Sequence, residues 1–180
     1  MIALRHIPAV LAIAVLPACV SSSFETPDAL GPLNVTSVEV AVADGGAGDD
    51  ASVITGRSSV VSPAQFVADL DANLTAALSE ASDASGLPAS VTVAVSEVYL
   101  APPLERVVAG TSYIAGTVSV TGADGSVLVP PTAVRGNTSN IRLAGTFGLL
   151  TTPSLDNDYR GTLRGFVGTV RDALFGSPDA

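Results

Sequence analysis

The sequence predicts an α+β fold, a two-layer sandwich of order β-α-β-β-β-α in which an antiparallel or mixed sheet carries two helices packed on one face. Three observations predict it. Short runs alternate apolar and polar residues, the period of a strand with one buried face. Two longer stretches space their apolar residues three and four apart, the period of an amphipathic helix. A single sheet with both helices on one side buries both helical stripes in one core. No internal repeat is visible.

The first strand follows from Val38, Val40 and Val42, which alternate with Glu39 and Ala41. Residues 43–59 read as an irregular excursion that includes Gly45-Gly46-Ala47-Gly48-Asp49-Asp50. A helix then begins at Ser62, an N-cap, with Pro63 at the first helical position and Gln65 completing a capping box. Val61 and Phe66 are spaced for a hydrophobic staple across that start. Phe66, Leu70, Leu74, Ala77 and Ala81 supply the apolar face, and Gly86 and Pro88 are expected to stop the helix. Val91 to Leu100 is a strand ended by Pro102-Pro103, and Tyr113 to Thr121 is another. Ala123-Asp124-Gly125 reads as a hairpin turn in which glycine takes the positive φ, and Val127 to Val134 returns as the partner strand. Pro130-Pro131 places that strand at an edge, or ends it early. Asp156 to Phe175 is the second helix, with Leu163, Phe166, Val167, Val170 and Leu174 as its buried stripe.

The first twenty residues have a different logic. Arg5 and His6 make a positive start, and Ile7 through Leu16 is an apolar run too short to span a bilayer. Leu16-Pro17-Ala18-Cys19 closes it and holds the only cysteine of the chain. Here the chain resembles the bacterial lipoprotein precursors: Leu16, Ala18 and Cys19 fit their lipobox, with Pro17 a less common second residue. That resemblance implies cleavage between Ala18 and Cys19, a diacylglycerol thioether on the Cys19 sulfur, and acylation of the new amine. Two or three acyl chains make a stable anchor where one is marginal. The resemblance also implies an address in the bacterial envelope. Val20 follows the cysteine, where an Asp often marks inner-membrane retention, so the expected site is the outer membrane with the domain facing the periplasm. The organisation expected is then a cleaved leader over 1–18, a flexible Ser- and Pro-containing tether over 19–33, one α+β domain over 34–176 and a disordered tail over 177–180.

Composition narrows the function. The net charge is −9, and it becomes more negative once Arg5 leaves with the leader. A chain this acidic is not expected to bind nucleic acid or anionic lipid surfaces, so acyl chains on Cys19 are the expected membrane partner. The only histidine is His6, the only cysteine is Cys19, and there is no lysine. A mature domain without His, Lys or a free thiol has no Ser-His-Asp or Cys-His arrangement, no Lys Schiff base and no His/Cys zinc site. No cofactor and no metal are expected, and the chain does not read as an enzyme.

Four constellations remain. Asp69 and Asp71, like Asp156 and Asp158, are paired carboxylates, but residues two apart on a helix point in different directions. Asp156 and Asp158 read as partners of the dipole at the second helix's N-terminus, and carboxylate hydrolysis is the remote alternative. The glycine-rich run 45–50 matches the start of a calcium-binding nonapeptide, but there is one copy, and Ser52 stands where a large apolar residue belongs. Arg160, Arg164 and Arg171 fall within about 40° of one another on the second helix. Gly161, Gly165 and Gly168 line a neighbouring face. The arginines are either a solvated flank or a docking surface for an acidic or phosphate-bearing partner. Leu143 to Leu150, with Phe147 at its centre, is an apolar stretch in a long connection that either packs on the core or meets a partner.

The element order resembles small two-layer envelope lipoproteins, such as the LPS-assembly lipoprotein and the auxiliary lipoproteins of lipid-transport ABC systems, or a further family of that plan. The expected role is non-catalytic, in assembly or transport, through contact with an envelope protein. The alternative is a small-ligand or lipid-binding module with a groove near Phe147.

Overall fold

A computed structural model describes residues 31–42, 54–56, 61–102, 111–138 and 154–176. The leader, Ala18, Cys19, the glycine-rich run 45–50, Phe147 with its apolar neighbours, and the tail 177–180 lie outside the described residues. The elements are β1 (Leu33–Val42), β2 (Ile54–Gly56), α1 (Pro63–Ala81), β3 (Leu87–Leu100), β4 (Tyr113–Gly122), β5 (Val127–Asn137) and α2 (Leu155–Phe175).

The fold class is the expected one, with a mixed sheet of order β1-β3-β4-β5. β1 runs parallel to β3, which requires a crossover, and α1 supplies it. The pairs β3/β4 and β4/β5 are antiparallel. One strand was not expected. Within the excursion over 43–59, Ile54–Gly56 pairs in parallel with Val98–Leu100, continuing along β3 beyond the point where β1 ends. Three residues are too few to show a period, so only the long-range pairing reveals them. Leu33, placed in the tether by sequence, is the first residue of β1 and is buried.

Register shifts explain the uneven alternation. β3 buries Val91, Val93 and Val95, then Val98 and Leu100. The phase changes at Ser96, where the β3/β4 register slips by one residue, and a bulge has that effect. β1 changes phase in the same way at Thr36, and the Thr36 hydroxyl donates to the Ala89 carbonyl at 3.1 Å. β5 absorbs Pro130-Pro131 in a shift between Val129 and Thr132 and continues to Asn137, so the prolines sit in an edge strand that does not end early. In the hairpin, Gly125 has φ +83°.

α1 is capped as expected by Ser62, whose hydroxyl accepts from the Gln65 amide at 3.2 Å. The reciprocal arm of the box is replaced, because the Gln65 side chain donates to Asp69 at 2.7 Å. The buried row is Phe66, Leu70, Leu74 and Leu78, with Ala77 only partly buried and Ala81 at the margin. Strict steps of four hold a stripe that leans across the sheet, and Leu78 buries more apolar surface than either alanine. The helix stops at Ser82, ahead of Gly86 and Pro88. The Ser82 hydroxyl donates to the Leu78 carbonyl at 2.7 Å and accepts the Val35 amide at 3.0 Å, tying the end of α1 to β1. Every residue of the expected α2 stripe is buried. The buried side chains of both helices and of the inward strand faces form one cluster. Each large apolar member contributes about 1.5–3 kcal/mol through burial.

Candidate functional site

The two helices meet along their early turns, where Tyr159 of α2 donates its hydroxyl to Asp69 of α1 at 2.9 Å. Above that contact lies a groove of 470 Å³ lined by Asp69, Asn73, Asp156, Asn157, Tyr159, Arg160, Leu163 and Arg164. Leu163 is buried and, with the Tyr159 ring, supplies the apolar part of the lining. The polar rim is ordered by local contacts. Asp69 accepts from Gln65 and Tyr159, one donor on each oxygen. The Asn73 amide donates to the Asp69 carbonyl at 2.6 Å, leaving its oxygen as an acceptor. Burial, reinforced by the hydrogen bond to the Asp69 carboxylate, pushes the Tyr159 hydroxyl well above its ordinary pKa.

The structure separates the three arginines. Arg160 holds Asp156 through Nε at 2.9 Å, with both side chains mostly exposed. Arg164 is exposed and makes no ion pair among the described residues. Arg171 is engaged by Asp172, its neighbour, at 2.6 Å and 3.0 Å, and is not part of the groove. It lies seven residues beyond Arg164, roughly 10 Å further along the axis. The glycines also separate. A Cβ on Gly165 would strike the Asn137 carbonyl, and one on Gly136 would strike the Phe166 backbone, whereas one on Gly168 would meet nothing within 4 Å. Gly165 therefore serves the seam between α2 and β5, not an external partner.

The paired carboxylates separate as well. Asp69 lines the groove and Asp71 does not. Asp156 is the exposed first-turn carboxylate expected from the helix dipole. Asp158 also stands in the first turn of α2, as expected, but it is fully buried and accepts the Ser112 hydroxyl at 2.7 Å. That hydroxyl in turn accepts the Ala101 amide at 3.0 Å, so the pair latches α2 to the β3–β4 connection. Thr162 adds a hydrogen bond to the Asp158 carbonyl at 2.8 Å. Sequence reading missed this latch because its two halves lie 46 residues apart.

A second group lies on the sheet face away from the helices. Tyr113 donates to Glu97 at 2.7 Å, Arg135 stacks 3.6 Å over the Tyr113 ring, and the Tyr99 ring sits 5.5 Å away. The Glu97 hydrogen bond, aided by partial burial, raises the Tyr113 pKa. The register that aligns Tyr99 with Tyr113, and Ala115 with both Glu97 and Arg135, assembles the group. The bulge at Ser96 hides it from a simple alternation.

Among the described residues, no group of three or more His, Cys, Asp or Glu side chains could hold a metal ion, and no helix is long and apolar enough to cross a membrane. Comparison with protein-family models, with curated proteins and with solved structures finds no match to this chain.

Proposed function

We propose that this protein is a lipid-anchored protein of the bacterial envelope, held in the outer membrane through acyl chains on Cys19 and facing the periplasm. It acts in assembly or transport by contact with another envelope protein and not by catalysis. The observation that carries the contact reading is the α1–α2 groove, where two exposed arginines share a mostly polar lining with Leu163 and the Tyr159 ring. Its position suits a tethered domain. The chain enters at Gly31 to Leu33, beside the end of α1, where the Asp83 amide donates to the Leu33 carbonyl at 3.0 Å. Asp69 lies twelve residues back from Ala81, roughly 18 Å along the helix from that anchored end. The groove thus lies well back along α1 from Gly31 to Leu33.

The groove's chemistry also favours contact over turnover. Glycoside cleavage needs a protonated carboxyl group facing a second carboxylate. Asp69 is occupied as an acceptor by two donors, and Asp156 is paired with a guanidinium. The lipid anchor rests on Leu16-Pro17-Ala18-Cys19. Its test is labelled-palmitate incorporation with membrane fractionation. The parent protein takes up label and sediments with membranes, and Cys19→Ser does neither. Equal labelling of the two proteins sinks the anchor. Whole-cell crosslinking is expected to yield a complex with an envelope protein, and recovery of monomer alone sinks the contact role.

A further inference from the structure

The chain enters the sheet at one end, and that end carries exposed apolar side chains. The Leu87 amide donates to the Pro32 carbonyl at 2.9 Å, which sets the start of β3 beside the start of β1. The Ala123 amide donates to the Pro88 carbonyl at 3.2 Å, which brings the β4–β5 turn to the same end. Val127, the first residue of β5, follows that turn and pairs with Thr121. Among the described residues, Leu87 and Val127 are the large hydrophobics that stand exposed, at 43% and 66%. The core does not need either side chain. Leu87 lies before the buried run that begins at Ala89, and Val127 opens an edge strand.

The anchor decides what meets them. Gly31 follows Cys19 by twelve residues, a reach of at most about 40 Å. Acyl chains on Cys19 therefore hold this end near a bilayer. Two side chains are too few to bind a free domain to a membrane. A tethered domain has a smaller requirement, because a short linker raises the effective concentration of the surface to about the millimolar range, and a weak contact then suffices to orient the domain. Charge selects the lipid. The turns at this end carry Asp83 and Asp124 and no basic residue. Hydrogen bonds from the Ser85 and Ser126 hydroxyls, joined by the backbone amides of the same serines, hold both carboxyl groups below the usual carboxylate range. An anionic surface repels the two carboxylates, and a zwitterionic one does not. We infer that Leu87 and Val127 rest on the zwitterionic lipid surface that holds the Cys19 anchor, so that the domain stands on the membrane by the end at which its chain enters. This rests on the lipid-anchor reading proposed above and adds an orientation to it.

The test uses the full-length lipidated protein in phosphatidylcholine vesicles, some of whose lipids carry a nitroxide high on the acyl chain. The thioether blocks Cys19, the only natural cysteine, so Leu87→Cys, Val127→Cys and Asn157→Cys each take one fluorophore. Asn157 is exposed at the other end of the sheet, where its neighbour Asp158 holds Ser112. Quenching at 87 and 127 is expected to exceed that at 157 about twofold or more. Adding Leu87→Ser to the Val127→Cys protein should cut its quenching about twofold. Vesicles rich in phosphatidylglycerol should lower quenching at 127, and added salt should restore it. Three results overturn the inference: equal quenching at the three positions, quenching at 127 unmoved by Leu87→Ser, or stronger quenching at 127 on phosphatidylglycerol. The second would mean that the tether alone brings this end close. Leu87 is partly exposed, so unchanged thermal unfolding of Leu87→Ser separates lost contact from lost fold. If the parent takes up no palmitate, the anchor reading falls and this inference with it. If it is lipidated and the three positions quench equally, the inference alone falls.

Discussion

The two sides of α2 differ in what they tolerate. On the inward side, Leu163, Phe166, Val167, Val170 and Leu174 are buried, Asp158 is locked to Ser112, and Gly165 lies against the Asn137 carbonyl. On the outward side, Arg160 and Arg164 reach into solvent beside an open groove, and the one ion pair there is between mostly exposed side chains. One helix therefore carries a face where packing fixes each residue and an exposed face that lines the groove. The lesson is that the paired features of the sequence, three arginines, three glycines and two aspartates, are each split between these tasks. Sharing a helix face did not give them one role.

Six substitutions break or sharpen this contrast. Phe166→Ala removes a fully buried ring and is expected to cost about 3–5 kcal/mol, read by urea unfolding. Asp158→Ala leaves the buried Ser112 hydroxyl without its acceptor. It should cost about 1.5–3 kcal/mol, and a loss below 0.5 kcal/mol would show that the latch is ornamental. The glycines give a test by sign. Gly165→Ala should destabilise by about 1–3 kcal/mol through collision with β5, whereas Gly168→Ala, three residues on and facing open space, should stabilise by about 0.4–1 kcal/mol. Equal shifts in thermal midpoint would erase the distinction between the two sides. Tyr159→Phe removes one hydrogen bond and should cost about 1 kcal/mol. It also changes the alkaline limb. A hydroxyl whose pKa is raised on folding contributes stability that is present below its unfolded value of 10.0 and is lost as pH rises above it. The parent should therefore lose stability above pH 10 more steeply than the variant. The smallest effect belongs to Arg160→Ala, whose exposed pair with Asp156 should alter stability by less than about 0.5 kcal/mol.

How much of this could be read beforehand follows from how local each signal is. The start of α1 was legible because Ser62, Pro63 and Gln65 act within one turn. The α2 stripe was legible because five apolar residues keep one period. Leu78 was missed in favour of Ala77 and Ala81, since the lean of α1 across the sheet is set by packing and not by period alone. β2 was missed because a three-residue strand exists only through its pairing with Val98–Leu100. The groove was half legible. The clustering of Arg160 and Arg164 came from the helical wheel, but Asp69, Asn73 and Tyr159 joined them only once α1 was docked beside α2. The exclusion of Arg171 depended on its neighbour Asp172 and on distance along the axis, which an angular projection discards. The roles of Gly165 and Asp158 required knowing that Asn137 and Ser112 lie against α2, and neither contact leaves a trace in the local sequence.

The most direct test of the account is site-specific photocrosslinking in intact cells, with p-benzoylphenylalanine replacing either Asn157 in the groove or Thr92 on the opposite sheet face. The account predicts a discrete adduct with an envelope protein from position 157, lost on Arg164→Glu, and none from position 92. Adducts from position 92 alone, or an adduct from position 157 unchanged by Arg164→Glu, would contradict it.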